Sequence, residues 1–135
     1  MVSYYRSGSE FTVNSFATDN QTAPTISRFS DGGFVISWGT LDSAQDGDSS
    51  AIKAQLFDAN GEKVGAELLV NSSVVGSQFT PSIATLGNDT FIVTWVTTDS
   101  SQDGSGNAIK AQLFSRSGSP IGTEFLVNTQ TGSSQ

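Results

Sequence analysis

The stretch that decides the fold is residues 33–57, GFVISWGTLDSAQDGDSSAIKAQLF, in which an apolar run, an acidic loop and a second apolar run follow one another. The same order returns in residues 90–114, which read TFIVTWVTTDSSQDGSGNAIKAQLF. Trp38 and Trp95 are 57 positions apart in the chain. The protein is therefore a tandem repeat, and its fold and function must be analysed one repeat at a time.

A shorter motif sets the boundaries of the repeats. It consists of Glu, two variable residues, Val and Asn, and it occurs three times, at residues 10–14, 67–71 and 124–128. We therefore predict a partial repeat at residues 1–21, followed by two whole repeats at residues 22–78 and 79–135. Each whole repeat contains one copy of every other motif in the chain.

The sequence of each whole repeat predicts four short strands, which are separated by turns rich in Gly, Asn and Asp. We predict that the first strand begins at Pro24, where a missing N–H costs no ladder bond. In the second strand Phe34, Ile36 and Trp38 share one face, because side chains alternate along a strand. No helical periodicity is present. The sequence thus predicts an all-β protein built from four-stranded β-propeller blades, with a β-sandwich or a linear stack of β-repeats as the alternatives.

The number of strands predicts self-association. Two repeats supply two sets of the first three strands but three copies of the Glu-x-x-Val-Asn strand, so one copy has no partner in its own chain. An unpaired strand is a template for a second chain. A propeller needs roughly four to eight blades to close. We therefore predict a homo-oligomer, and three chains with six blades form the simplest ring.

Composition excludes several classes of function. The chain has a net charge of −7 and a pI near 4.1, which argues against nucleic acid and anionic membranes as partners. It contains no Cys and no His, which excludes disulfides, thiolate zinc sites and His-based triads. No apolar run approaches the ~20 residues of a membrane span. An acidic chain rich in Ser, Thr, Gly and Asn is typical of an exported bacterial protein, so we predict that it is secreted or on the cell surface.

The repeat resembles a tandem repeat of large secreted bacterial proteins of the hemolysin-type calcium-binding and adhesin-like class, with blades like those of propeller lectins. The residues that carry the resemblance are GFVISW, QDG, IKAQLFDANG and VGAELLVN, the last at residues 64–71. The resemblance implies export and binding rather than a reaction. The chain departs from that class because it lacks the Gly-Asp nonapeptides that bind calcium there, and because it is much shorter.

The acidic loops predict a calcium site, because calcium takes six to eight oxygen ligands from carboxylates, amides, carbonyls and water. The predicted ligands are the carboxylates of the two loops, namely Asp42, Asp46, Asp48, Asp99 and Asp103. Neither loop fits the EF-hand pattern, since neither has a Glu at the closing position. The alternative interpretation is a solvated loop in which Asp-Gly supplies the geometry of a turn.

A second set of side chains predicts a carbohydrate site. An aromatic ring beside amide, ammonium and carboxylate groups suits a sugar, whose C–H face stacks on the ring while its hydroxyls bond the polar groups. The predicted ligand-binding residues are Trp38, Asp46, Lys53 and Gln55, with Trp95, Asp103, Lys110 and Gln112 as their copies. The alternative is that both tryptophans pack in a core and that Lys53 pairs with Glu67 or Asp46.

These features favour a non-enzymatic, multivalent carbohydrate-binding module of a secreted or surface protein, since repetition raises the avidity of weak sites. The alternative is a structural or adhesive repeat stiffened by calcium, or an engineered propeller fragment with no native ligand. A glycosidase would need two carboxylates facing one cleft, as Asp46 and Glu67 would have to do. Carboxylates in solvated loops are not tuned as acids, so we predict no enzymatic activity.

Overall fold

The computed structural model describes residues 8–41, 50–101, 104 and 106–129, and in them the chain forms β-strands and no helix. The strands are β1 (Gln21–Arg28), β2 (Phe34–Thr40), β3 (Ala51–Phe57), β4 (Lys63–Leu69), β5 (Gln78–Thr85), β6 (Phe91–Thr97), β7 (Ala108–Phe114) and β8 (Pro120–Leu126). They form two antiparallel sheets, β1 to β4 and β5 to β8, in which strands pair in chain order. The predicted all-β architecture of four-stranded units is confirmed. None of the described residues belongs to a helix of the length and apolarity that crossing a membrane requires.

The strand register gives each sheet two distinct faces. In the first sheet, Trp38 lies opposite Lys53, and its neighbours Ile36 and Phe34 lie opposite Gln55 and Phe57. We call this side the Trp face. The other side, which we call the Ile face, carries Val35, Ser37, Ile52, Ala54 and Leu56. The second sheet repeats both faces 57 residues later, with Trp95 opposite Lys110 and Val96 opposite Ile109.

The first strand of each sheet begins earlier than predicted. β1 begins at Gln21 and β5 at Gln78, so Pro24 and Pro81 lie inside their strands. Each proline lies within a register shift, between Thr22 and Thr25 in β1. The preceding residue, Ala23 in β1, has a positive φ of 50°. A bulge leaves one residue out of the ladder, so a residue without an N–H is tolerated there.

The core lies between the Ile face of the first sheet and the Trp face of the second. Ile52, Ala54 and Leu56 are buried there together with the side chains of Val93 and Trp95. Further along the interface the ring of Phe29 meets that of Phe91 edge-on, with centroids 5.9 Å apart. The two sheets therefore stack face to face, which fits the β-sandwich alternative.

Polar contacts between turns add to this interface. The hydroxyl and backbone N–H of Ser30 donate to the Asp89 carboxylate over 2.5 and 3.1 Å. These hydrogen bonds, with a smaller contribution from the positive charge of Arg116, hold the pKa of Asp89 below the usual aspartate value of 3.8. Arg116 also pairs with Asp31 at 3.1 Å, and its guanidinium lies 3.9 Å from the centre of the Phe29 ring.

Equivalent residues of the two repeats differ sharply in burial. Val70 is 3% exposed, whereas Val127, its counterpart 57 positions later, is 49% exposed. On the opposite side of the molecule Ile26 is 61% exposed, whereas its counterpart Ile83 packs against the core. The internal interface thus covers one face of each sheet, and the Trp face of the first sheet and the Ile face of the second remain the outer faces.

This difference predicts unequal costs for one substitution at two equivalent sites. We expect Val70→Ala to lower the free energy of unfolding by about 2 kcal/mol, because it removes buried methyl groups and leaves a cavity. Val127→Ala is the matched control and should change it by less than about 0.5 kcal/mol. Urea unfolding of dilute protein measures both values, and equal losses would contradict the assigned core.

Candidate functional site

The most distinctive polar group at the start of the second sheet is the amide of Gln78, which joins Trp95 to the linker between the sheets, residues 70–77. The Trp95 indole is buried, and its Nε1–H donates to Gln78 Oε1 over 2.9 Å. The Nε2 of Gln78 in turn donates to the carbonyls of Val75 and Gly76, over 2.9 and 3.3 Å. One buried glutamine therefore holds both the indole and the chain that enters β5.

The first sheet begins with the same arrangement. The Nε1–H of Trp38 donates to Gln21 Oε1 over 2.9 Å, and Gln21 Nε2 donates to the carbonyls of Thr18 and Asp19. Trp38 is also buried. Both predicted sugar-binding tryptophans thus have their indole N–H groups bonded within the chain, as the packing alternative requires. Contact of these rings with a sugar stays a prediction.

Each lysine that was predicted to contact a ligand lies beside a glutamate of the neighbouring strand. Lys110 Nζ is 2.8 Å from Glu124 Oε1, and both side chains are nearly buried. In the first repeat Lys53 Nζ is 3.5 Å from Glu67 Oε2, again with little exposure of either side chain. Lys53 therefore pairs with Glu67, which was one of the two partners, Glu67 and Asp46, that the packing alternative proposed for it.

The glutamates also connect each sheet to the segment that precedes it. Glu124 accepts hydrogen bonds from the backbone N–H groups of Ser72 and Ser73, over 3.0 and 3.1 Å. Glu67 accepts the equivalent bond from the N–H of Ser15. Charged hydrogen bonds of this kind are about twice as strong as neutral ones. Each glutamate is therefore a clasp between one repeat and the segment before it.

Gln55 and Gln112 serve the sheet backbone. Gln55 is fully buried, and its Nε2 donates to the carbonyls of Val64 and Gly65, over 3.3 and 3.1 Å, beside the register shift between β3 and β4. Gln112 makes the same pair of bonds to Ile121 and Gly122. Both amides donate to backbone carbonyls at the bulge and next to it, so their donor groups are directed at backbone.

The predicted calcium ligands are only partly covered by the structure. Asp42, Asp46, Asp48 and Asp103 lie outside the described residues. Asp99 is buried and accepts hydrogen bonds from the N–H and hydroxyl of Ser101, over 3.0 and 2.5 Å, which is a side-chain-capped turn. Among the described residues no group of three acidic, His or Cys side chains is arranged to hold a metal ion. Calcium binding stays a prediction, as do Asp46 and Asp103 in the sugar site.

The N-terminal segment, residues 8–16, lies on the Trp face of the first sheet. The ring of Phe11 packs on that of Phe57, with centroids 5.6 Å apart, and Lys53 Nζ lies 5.5 Å from the centre of the Phe16 ring. A recess of about 290 Å³ remains between this segment and the sheet, bordered by Phe11, Trp38 and the side chains around them. The N-terminal copy of the Glu-x-x-Val-Asn motif, at residues 10–14, forms no β-strand in the described part of the chain.

The predicted site lacks two kinds of residue that the structure shows to be important, which are the glutamines that bond the tryptophans and the glutamate that bonds the preceding segment. Gln21 and Gln78, which hold the tryptophans, carry a signal in the sequence, because they are 57 positions apart like the rest of the repeat. The clasp of Glu124 carries the same signal. Spacing identifies such residues as repeated but cannot reveal that their partners belong to a neighbouring repeat.

Comparison with known proteins finds no match among family models, curated proteins or solved structures. The resemblance to secreted bacterial repeat proteins therefore stays a prediction.

The nearly buried clasp predicts a large effect of one uncharged substitution. We expect Glu124→Gln to cost about 3 kcal/mol of unfolding free energy, because the Lys110 ammonium loses its carboxylate in a poorly hydrated site. The double substitution Lys110→Met with Glu124→Leu should recover a large part of that loss. Glu62→Gln, in an exposed turn, is the control and should be nearly neutral. Thermal or urea unfolding of the four proteins decides, and an unaffected Glu124→Gln would refute the clasp.

Proposed function

We propose that this chain is a non-enzymatic structural repeat that assembles with further copies of itself, in a secreted or cell-surface setting. The Ile face of the second sheet of one copy stacks on the Trp face of the first sheet of the next. The observation that carries the proposal is the difference in burial between equivalent residues, such as Val70, which is 3% exposed, and Val127, which is 49% exposed. Val70 and Ile83 are covered at the internal interface, whereas their counterparts Val127 and Ile26 are exposed at the two ends of the sheet pair.

The two outer faces match each other as the two inner faces do. On the outer Ile face, Ile109, Ala111 and Leu113 repeat the residues that bury themselves at the internal interface. On the outer Trp face, Phe34 and Trp38 repeat the buried Phe91 and Trp95. Stacking of repeats on their neighbours is how such architectures gain stability. Contact between two copies would therefore reuse an interface that already exists inside each chain.

The contact is heterologous, because the surface offered by one copy differs from the surface that it meets on the next. Such contacts form a ring when the rotation per step closes and a filament when it does not. Three chains that close six sheets form the propeller that the strand count predicts. The net charge of −7 per chain opposes this assembly, so high ionic strength should strengthen it.

The proposal predicts a concentration-dependent mass. We expect the protein to exceed its chain mass of 14.1 kDa as concentration and salt rise, with three times that mass as the closed species. Leu113→Asp should keep it monomeric, because a carboxylate on the outer Ile face would be buried without a partner. Val75→Asp is the control, since Val75 is an exposed apolar residue of the linker rather than of a sheet face.

Light scattering coupled to size-exclusion chromatography measures these masses, and circular dichroism checks that each variant keeps its sheets. A wild-type chain that stays at 14.1 kDa at the highest attainable concentration and salt would overturn the proposal. Equal loss of association in Val75→Asp would show non-specific hydrophobic contact and would also count against it.

Carbohydrate binding is the second candidate, and the recess beside Trp38 is the observation that favours it. The recess combines the aromatic rings of Phe11 and Trp38 with the amide side chains of Asn14 and Gln21. This is the combination of apolar and hydrogen-bonding groups that small ligands require. The first candidate is the better supported, because the surface around Trp38 repeats one that a neighbouring sheet covers at Trp95.

A glycan array tests the second candidate. We expect any glycan signal of the wild type to disappear in Trp38→Phe, which removes the indole from the recess, and to survive in Trp95→Phe, whose ring lies between the sheets and does not border the recess. Since each substitution removes the hydrogen bond from an indole to a glutamine, the array is run where thermal unfolding shows both variants folded. An array without any signal at high protein concentration would refute this candidate.

A further inference from the structure

The N-terminal segment is held on the first sheet by the same bonds that hold the inter-sheet linker on the second. The Ser15 N–H donates to Glu67, as that of Ser72 does to Glu124. The side chain of Asn14 donates to the carbonyl of Phe16 over 2.7 Å, as that of Asn71 does to Ser73 over 3.0 Å. Residues 8–16 therefore occupy, on the first sheet, the position that residues 65–73 occupy on the second.

This position is the one that a docked copy needs. If the second sheet of another copy stacks on the Trp face as the proposed function requires, its residues 122–129 fall where residues 8–15 already lie. Phe125 of that copy would take the position of Phe11, because the two are separated by two full repeats, and both are exposed in the single chain, by 48% and 55%. Two copies of one motif thus compete for one surface, and one of them must leave.

The contacts decide which of the two leaves. β8 pairs with β7 along its length, and its tail adds a bond from the Val127 N–H to Ile109 O and another from the Ile109 N–H to Asn128 Oδ1. Residues 8–16 form no strand pairing in the structure, and Phe11 and Phe16 are more than half exposed. Removing the N-terminal segment therefore costs far fewer hydrogen bonds than removing β8.

We infer that residues 8–16 are a removable cap, which covers the Trp face of the first sheet and is displaced when the Ile face of the second sheet of another copy, together with its β8, stacks there. The inference rests on the proposed self-assembly and adds a segment that limits it. The cap shields the apolar rings of the Trp face in the separate chain. It also weakens association, because binding must first release the contacts of Phe11, Ser15 and Phe16.

The test compares one substitution at the two competing positions. Phe11→Ser removes a contact that the cap makes only in the separate chain. The substitution therefore destabilises the separate chain relative to the assembly, and the dissociation constant should fall about tenfold. Phe125→Ser removes an apolar contact of the docking copy and should weaken association by a similar factor. Both residues are exposed, so both variants should fold, and sedimentation equilibrium of the full chains gives the dissociation constants.

The opposite signs separate the cap from its main rival, which is strand exchange. If the N-terminal segment instead replaced β8 in the neighbouring copy, Phe11→Ser would weaken association and Phe125→Ser would not, and the cap would be overturned while self-assembly stands. If the wild type associates and Phe11→Ser has the same dissociation constant, the cap is overturned in the same way. Failure of wild type and Phe11→Ser to associate at any concentration would overturn self-assembly itself, and the cap with it.

A label on the cap gives an independent reading. The chain contains no Cys, so Ser9→Cys provides a single attachment point for a spin label in the cap. We expect its spectrum to show greater mobility in the associated species than in the separate chain. A label that becomes more restricted on association would place the segment between the copies and would overturn the cap.

Discussion

The structure depends on one constraint, which is that a four-stranded sheet with apolar side chains on both faces must be covered twice. The β2 and β3 strands carry Ile36 and Trp38 on one side and Val35 and Ile52 on the other. A helix could cover such a face in another fold, but the described residues contain none. The chain therefore covers a sheet with a sheet, and one face of each sheet lies outside their shared interface.

The polar side chains around this core solve a second problem, which is the satisfaction of backbone groups where the ladder is interrupted. Buried polar groups are costly unless they are hydrogen-bonded. Gln55 bonds the carbonyls beside a bulge, and Gln78 bonds those of the linker. Glu124 takes two N–H groups of the preceding segment while it neutralises Lys110. Residues of a kind that would also suit a ligand thereby hold the backbone of their own sheet, as Gln55 does, or the joints between repeats, as Gln78 and Glu124 do.

Sequence reasoning predicted the faces of the sheets well and the roles of the polar residues poorly. Alternation along a strand has a period of two, so the side on which Trp38 lies could be read directly from its neighbours. The start of β1 was missed, because a bulge at Ala23 lets the strand continue past Pro24. The partner of Glu124 is 52 residues away in the chain, and no local pattern reveals such a contact. The calcium prediction rests largely on residues beyond the described part of the chain.

Repetition itself creates a hazard that the turn contacts relieve. Residues 51–57 and 108–114 are identical, so β2 and β6 meet the same strand sequence whichever repeat supplies it, and a nascent chain can pair them wrongly. The bonds of Ser30 to Asp89 and of Asp31 to Arg116 break this degeneracy, because the positions 57 residues away are Gly87, Gly32, Asn88 and Ala59. These turn contacts form only between the two sheets in their native order, so they distinguish this interface from one with the repeats exchanged. They let nearly interchangeable modules fold in a single order.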